Sequence, residues 1–185
     1  MVDSNLITWP NRIFFSGVPG SRWSGIAQDM KETHGLNTSD RASHRVYKHG
    51  DFGGHIDAYF GTGMEFSCDL SEENLDAPFA DKSGCKLLLS HEWVYKLDEI
   101  RERFPNDWIM LIYRSNWESF LWWKKAGGFD ITYPNYDWYE GDYNMRVKIE
   151  EQNNLILAFA QKHDLIWSQN TKHKDVFVTT CMNYF

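Results

Sequence analysis

His91, Glu92, Arg22 and Arg114 have the types and settings in this chain that suit chemistry, because each follows closely on a short apolar run. A histidine titrates near neutrality and a carboxylate accepts protons, so His91 or Glu92 could act as a base. Arginines bind phosphate or sulfate through charge-assisted hydrogen bonds. The stretch Gly17-Val18-Pro19-Gly20-Ser21-Arg22-Trp23-Ser24 adds a loop of small residues between an apolar run and a helical pattern. Amides at such a helix start lack intrahelical partners and carry the positive end of the helix dipole. That arrangement suits a phosphate or sulfate group. The stretch is a degraded form of the phosphate loop G-x-x-x-x-G-K-[ST], with Ser24 at the hydroxyl position and Trp23 in place of the lysine. A nucleoside-triphosphatase loop is therefore not expected. An ordinary strand-to-helix turn is the plainer alternative.

The elements that must position these residues follow from hydrophobic period. Residues 13–16 read as a first strand, and 22–34 as a helix with Trp23, Ile26, Ala27 and Met30 on one face. Gly35 closes that helix. Residues 37–81 are rich in Gly, Asp, His and Ser and read as an irregular insert facing substrate. A strand at 86–90 leads to a helical pattern through Trp93, Val94, Leu97, Ile100 and Phe104, ended by Pro105-Asn106. Residues 108–113 read as a buried parallel strand. Ser115 and Glu118 have capping-box spacing for a helix that ends near 125. An aromatic loop at 129–142, a long helix at 143–163 and strands at 165–167 and 176–178 complete the chain. The alternation predicts one α/β domain over 1–185, a three-layer P-loop-like fold with a mainly parallel central sheet flanked by helices. Ligands in such sheets sit beyond the C-terminal strand ends. Three such ends carry polar groups: the 17–24 loop, Ser90-His91-Glu92, and Arg114-Ser115.

Composition narrows the functions. With 185 residues, 42% hydrophobic and 24% charged, the chain suits a globular protein with a substantial core. A net charge of −7 argues against nucleic acid as a partner, so an anion site must be a local basic pocket. No apolar run approaches ~20 residues and no signal peptide opens the chain, so no membrane partner is expected. Cys68, Cys85 and Cys181 form neither a disulfide framework nor a metal pattern, which points to a reducing cytoplasm. His44, His49 and His55 lack metal-ligand spacing, and no metal is expected. The aromatic content of 16%, with nine Trp, serves a core or stacks a ligand ring.

The three polar strand ends, in this order, resemble the sulfotransferase family that uses 3′-phosphoadenosine 5′-phosphosulfate. Members carry a Tyr-Pro-Lys-Ser-Gly-Thr-Thr type loop around the 5′-phosphosulfate, which Val18-Pro19-Gly20-Ser21-Arg22-Trp23-Ser24 matches here. Their Lys-Thr-His motif, with a catalytic histidine, corresponds to Leu89-Ser90-His91. Their 3′-phosphate arginine, after a buried strand, corresponds to Arg114. The resemblance spans residues 13–125, outside the insert. It departs where Gly20 stands at the loop lysine and Trp122 at the second 3′-phosphate ligand, usually a serine. Arg22 could supply the missing charge, and Ser119 or Ser115 the missing hydroxyl. Lys172 and Lys174 are candidates for a late basic clamp.

The resemblance implies a nucleotide-binding transferase that moves a sulfuryl group to a hydroxyl or amine of a small-molecule acceptor, releasing adenosine 3′,5′-bisphosphate. It places the donor on Pro19, Gly20, Ser21, Arg22, Trp23, Ser24, Arg114 and Ser119, with His91 as base and Arg22 on the developing charge. Glu92 is an alternative base. Structural roles stand beside these. His91 could be satisfied by backbone at a strand end, Arg114 could pair with Glu118 or another carboxylate, and Arg22 could be a solvated first-turn residue. A kinase-like phosphotransferase and a non-catalytic nucleotide-binding relative are the alternative functions.

Overall fold

The structure, a computed structural model, describes residues 8–38, 48–49, 67–76, 79–128, 131–132 and 141–182. Strand β1 (Arg12–Gly17) runs into helix α1 (Trp23–His34). Gly35 ends α1 in the left-handed region, its N–H donating to Lys31 O at 2.8 Å. Next come β2 (Lys48–His49), the short helix α2 (Glu72–Leu75) and β3 (Lys86–Leu89). A 3-10 turn (Glu92–Tyr95) and α3 (Leu97–Arg103) precede β4 (Trp108–Arg114). The remainder is α4 (Asn116–Lys125), β5 (Ile131–Thr132), α5 (Asp142–Lys162), β6 (Ser168–Gln169) and β7 (Val176–Cys181).

The fold is α/β, with a five-stranded sheet in the order β3-β1-β4-β7-β6 and helices flanking it. Strand β1 pairs in parallel with both β3 and β4, and its Ile13, Phe14 and Phe15 are fully buried. Such apolar runs are what a central parallel strand requires, since both its faces are covered. The expectation of a mainly parallel sheet is corrected beyond β4. Strand β7 runs antiparallel to β4 and to β6, so the sheet is mixed. The cause is a hairpin: β6 and β7 are joined by a short connection, and β7 is the arm that docks on β4.

Two local expectations also shift. The pattern from Trp93 to Phe104 divides at Lys96, whose φ of −129° breaks the helix between the 3-10 turn and α3. The strand expected at 165–167 lies instead at Ser168–Gln169, because Ile166, 85% exposed, has no face of the sheet to cover. Most of the 37–81 insert and of the 129–142 loop lies outside the described residues. So do His44 and His55.

The buried core unites the two sides of β1. Trp93 meets Phe14 edge-on at 5.4 Å, and its indole N–H donates to Leu88 O at 2.9 Å. An ion network closes the N-terminal end of the sheet. Arg12 bonds Asp76 and also Asp107, the latter at 3.0 Å, while Lys86 reaches Asp76 at 2.7 Å. The charged groups at the opposite, C-terminal end are arranged differently.

Candidate anion-binding site

The loop after β1 is built by a type II turn. Ser21 N–H donates to Val18 O at 3.0 Å across Pro19 and Gly20, and Gly20 has φ +78°. Proline presets the first central position and glycine supplies the positive φ at the second. Gly20 is also required by space, because a Cβ there would lie 1.9 Å from the Ser119 carbonyl oxygen. The loop backbone thus rests directly on α4. A Cβ on Gly17 would fall 2.7 Å from Ser21 Oγ and 2.9 Å from Ile112 Cβ. Ser21 Oγ is fully buried with no hydrogen-bond partner among the described residues.

Arg22 follows with φ 66° and forms the N-cap of α1. A non-glycine residue there is uncommon and is held by its surroundings. Its side chain makes no cap bond, and the first helical bond runs from Ile26 N to Arg22 O at 3.1 Å. The amides of Trp23, Ser24 and Gly25 are the first-turn donors that lack intrahelical acceptors. Trp23 and Ser24 are themselves buried.

His91 and Arg114 converge on this loop from the neighbouring strand ends. The His91 ring is 1% exposed and tilts against Trp23 at a centroid distance of 4.2 Å. Its Nδ1 bonds the Gly17 carbonyl, so that nitrogen carries the proton. Burial pushes the imidazole pKa down to about 3, so the ring is neutral. Glu92, the next residue, is half-buried, and burial raises its carboxyl pKa. Its N–H donates to Ser90 Oγ at 3.0 Å, and its carbonyl accepts from Cys68 Sγ at 3.3 Å.

Arg114 is 6% exposed and its donors are directed by the fold. Nη1 donates to Gly20 O at 3.1 Å, Nε to Asp175 Oδ2 at 2.6 Å, and Nη2 lies 3.7 Å from Glu118 Oε2. The register Arg114↔Val176 brings Asp175 alongside. Ser119 Oγ is buried and donates to the Arg114 carbonyl at 3.3 Å. Ser115 Oγ accepts from Glu118 N at 3.3 Å and caps α4, as its spacing predicts.

Three cations gather around one half-buried indole. The Arg22 guanidinium lies 3.4 Å from the Trp122 ring centroid, Lys125 Nζ at 5.4 Å and the Arg114 guanidinium at 6.0 Å. His173, in the β6–β7 connection, has its pKa lowered, first by burial and then by Arg22. Lys172 ties that connection to α1 through Asp29 at 2.6 Å. Sequence reasoning missed Trp122 as the centre of this cluster, and missed Asp175 and His173 altogether. Only the β4–β7 register could have signalled Asp175.

The structure therefore brings together Pro19, Gly20, Ser21, Arg22, Trp23, His91, Arg114 and Ser119. Ser24 sits in the first turn of α1, and Glu92 opens the 3-10 turn that follows β3. The arrangement can hold an oxyanion, with backbone N–H groups at a helix start and guanidinium groups beside it. Comparison with protein-family models, with curated proteins and with solved structures finds no match.

Proposed function

We propose that this chain is a sulfotransferase that draws its sulfuryl group from 3′-phosphoadenosine 5′-phosphosulfate, on a three-layer P-loop-like scaffold. The observation that carries the reading is the local basic cluster of Arg22, Arg114 and Lys125 beside the 17–24 loop, in a chain of net charge −7. The 5′-phosphosulfate takes the first-turn amides of α1, with Arg22 and the buried Ser21 hydroxyl as further donors. The 3′-phosphate displaces half-exposed Asp175 from Arg114. An acceptor oxygen or nitrogen then bonds to sulfur as the bond from sulfur to the bridging phosphate oxygen breaks. The electron pair leaves on adenosine 3′,5′-bisphosphate, and the acceptor proton passes to a base. A base works best with a pKa near the operating pH. The raised pKa of Glu92 suits that role better than the imidazole of His91, whose pKa is about 3. His91 then serves the loop by holding Gly17 O.

A second reading, a non-catalytic nucleotide-binding relative, is favoured by the same burial of His91. Calorimetric titration with adenosine 3′,5′-bisphosphate, adenosine 5′-monophosphate and ATP–Mg²⁺ tests the binding site. Selective binding of the bisphosphate is expected, with a larger loss for the bisphosphate than for the monophosphate in Arg114→Ala. Equal affinity for all three nucleotides refutes the donor site. Transfer of labelled sulfate from the donor to a panel of small alcohols and amines separates enzyme from binder.

A further inference from the structure

We infer that Trp122 is a positioning residue for Arg22, and that the pair works as one unit to present a cation to the anion held by the 17–24 loop. The inference rests on the anion-binding reading of that loop and goes beyond it. Arg22 stacks on Trp122 at 3.4 Å, although Arg22 is the N-cap of α1 and Trp122 lies in α4. The same indole lies 6.0 Å from Arg114, whose Nη1 donates to Gly20 O at 3.1 Å. Next to it in α4, Trp123 N would lie 2.8 Å from a Cβ on Gly20. Arg22 and the Pro19–Gly20 turn are therefore referenced to one short segment of α4.

The chemistry of the contact explains why an indole suits this place. An aromatic ring attracts a guanidinium through its negative face, and the contact strengthens when water is excluded. Stacking uses the face of the guanidinium, whereas oxyanions bind to its N–H edge. A carboxylate in the same place would cancel the charge that an anion needs. The indole orients Arg22 through the face of its guanidinium and does not compete for the N–H edge. The left-handed backbone at Arg22 fits this role, because it turns the side chain at the point where α1 begins.

Inorganic pyrophosphate is the probe, since it reports anion binding without a nucleotide. Wild type, Arg22→Ala, Trp122→Leu, Trp122→Phe and the Arg22→Ala/Trp122→Leu double variant are titrated by calorimetry. Arg22→Ala and Trp122→Leu should each weaken binding about tenfold. Trp122→Phe should recover most of that loss, and the double variant should bind no worse than Arg22→Ala. Nitrogen-15 NMR of the ligand-free proteins adds a readout that needs no ligand. The Arg22 Nε–H resonance should carry a ring-current shift that Trp122→Phe keeps and Trp122→Leu loses. Additive losses, wild-type affinity in Trp122→Leu, absence of pyrophosphate binding, or an unmoved Arg22 resonance overturns the inference. A coupled pyrophosphate cycle in a protein that does not prefer the bisphosphate to the monophosphate sinks the nucleotide reading alone.

Discussion

Replacing Gly20 by alanine probes how the loop is held. Two separate costs arise at this position. An L-residue at φ +78° pays about 1–2 kcal/mol for the left-handed backbone. The new Cβ would also lie 1.9 Å from Ser119 O, against a normal carbon–oxygen approach of about 3.3 Å. The obstacle is helix backbone, so the loop must retreat by about 1.4 Å. The hydrogen bond from Arg114 Nη1 to Gly20 O, now 3.1 Å, would then be broken. A bond from a charged donor contributes about 1.5–3 kcal/mol. The expected destabilisation is about 3–5 kcal/mol, a large share of a typical stability of about 5–15 kcal/mol. Gly35→Ala is the matched control. Its φ of +65° imposes the same backbone cost, but a Cβ there meets nothing within 4 Å. Urea unfolding of the two variants, with equal slopes, isolates the close approach as their difference of about 2–3 kcal/mol. If Gly20→Ala is no less stable than Gly35→Ala, the loop does not rest on α4 as described.

The buried neutral His91 should make stability fall in acid. Its folded pKa of about 3 lies below the unfolded value of about 6.5, so the unfolded chain binds the extra proton between them. Its contribution is complete above pH ~6.5 and is lost towards pH 3, by up to about 1.4 kcal/mol per pH unit. Urea midpoints from pH 7 to 4 should slope less steeply in His91→Gln, and parallel slopes would count against a buried imidazole. Arg12→Met should cost about 3 kcal/mol at pH 7, because it strands Asp107, whose side chain is 6% exposed. Burial already raises the Asp107 pKa, so the deficit should shrink towards pH 4 and largely vanish in Arg12→Met/Asp107→Asn. A deficit independent of pH would show that packing of the Arg12 stem matters more than its charge.

Local order was legible because it depends on neighbours in sequence. The apolar runs became β1, β3, β4 and β7, the Trp23-Ile26-Ala27 face became α1, Gly35 became its cap, and Ser115 became the cap of α4. The Pro19–Gly20 pair fixed a tight turn wherever the chain placed it. The direction of β7 was not legible, since a short apolar run such as Val176-Phe177-Val178 reads alike for either sense of pairing. Docking of the β6–β7 hairpin therefore decided that the sheet is mixed. It also decided the setting of Arg114, because Asp175 reaches it only through the register of β7 on β4. His91 carries no sequence mark of its burial. Burial against Trp23 makes it neutral, outweighing the opposite pull of its hydrogen bond to Gly17 O. Trp122 read as a departure at the second 3′-phosphate position, and only the approach of α4 to the loop set it under Arg22. The sequence by itself determined the order of the main strands and helices and which residues have the chemistry to meet an anion. The tertiary structure decided which charged groups meet, because that depends on distances between segments far apart in the chain.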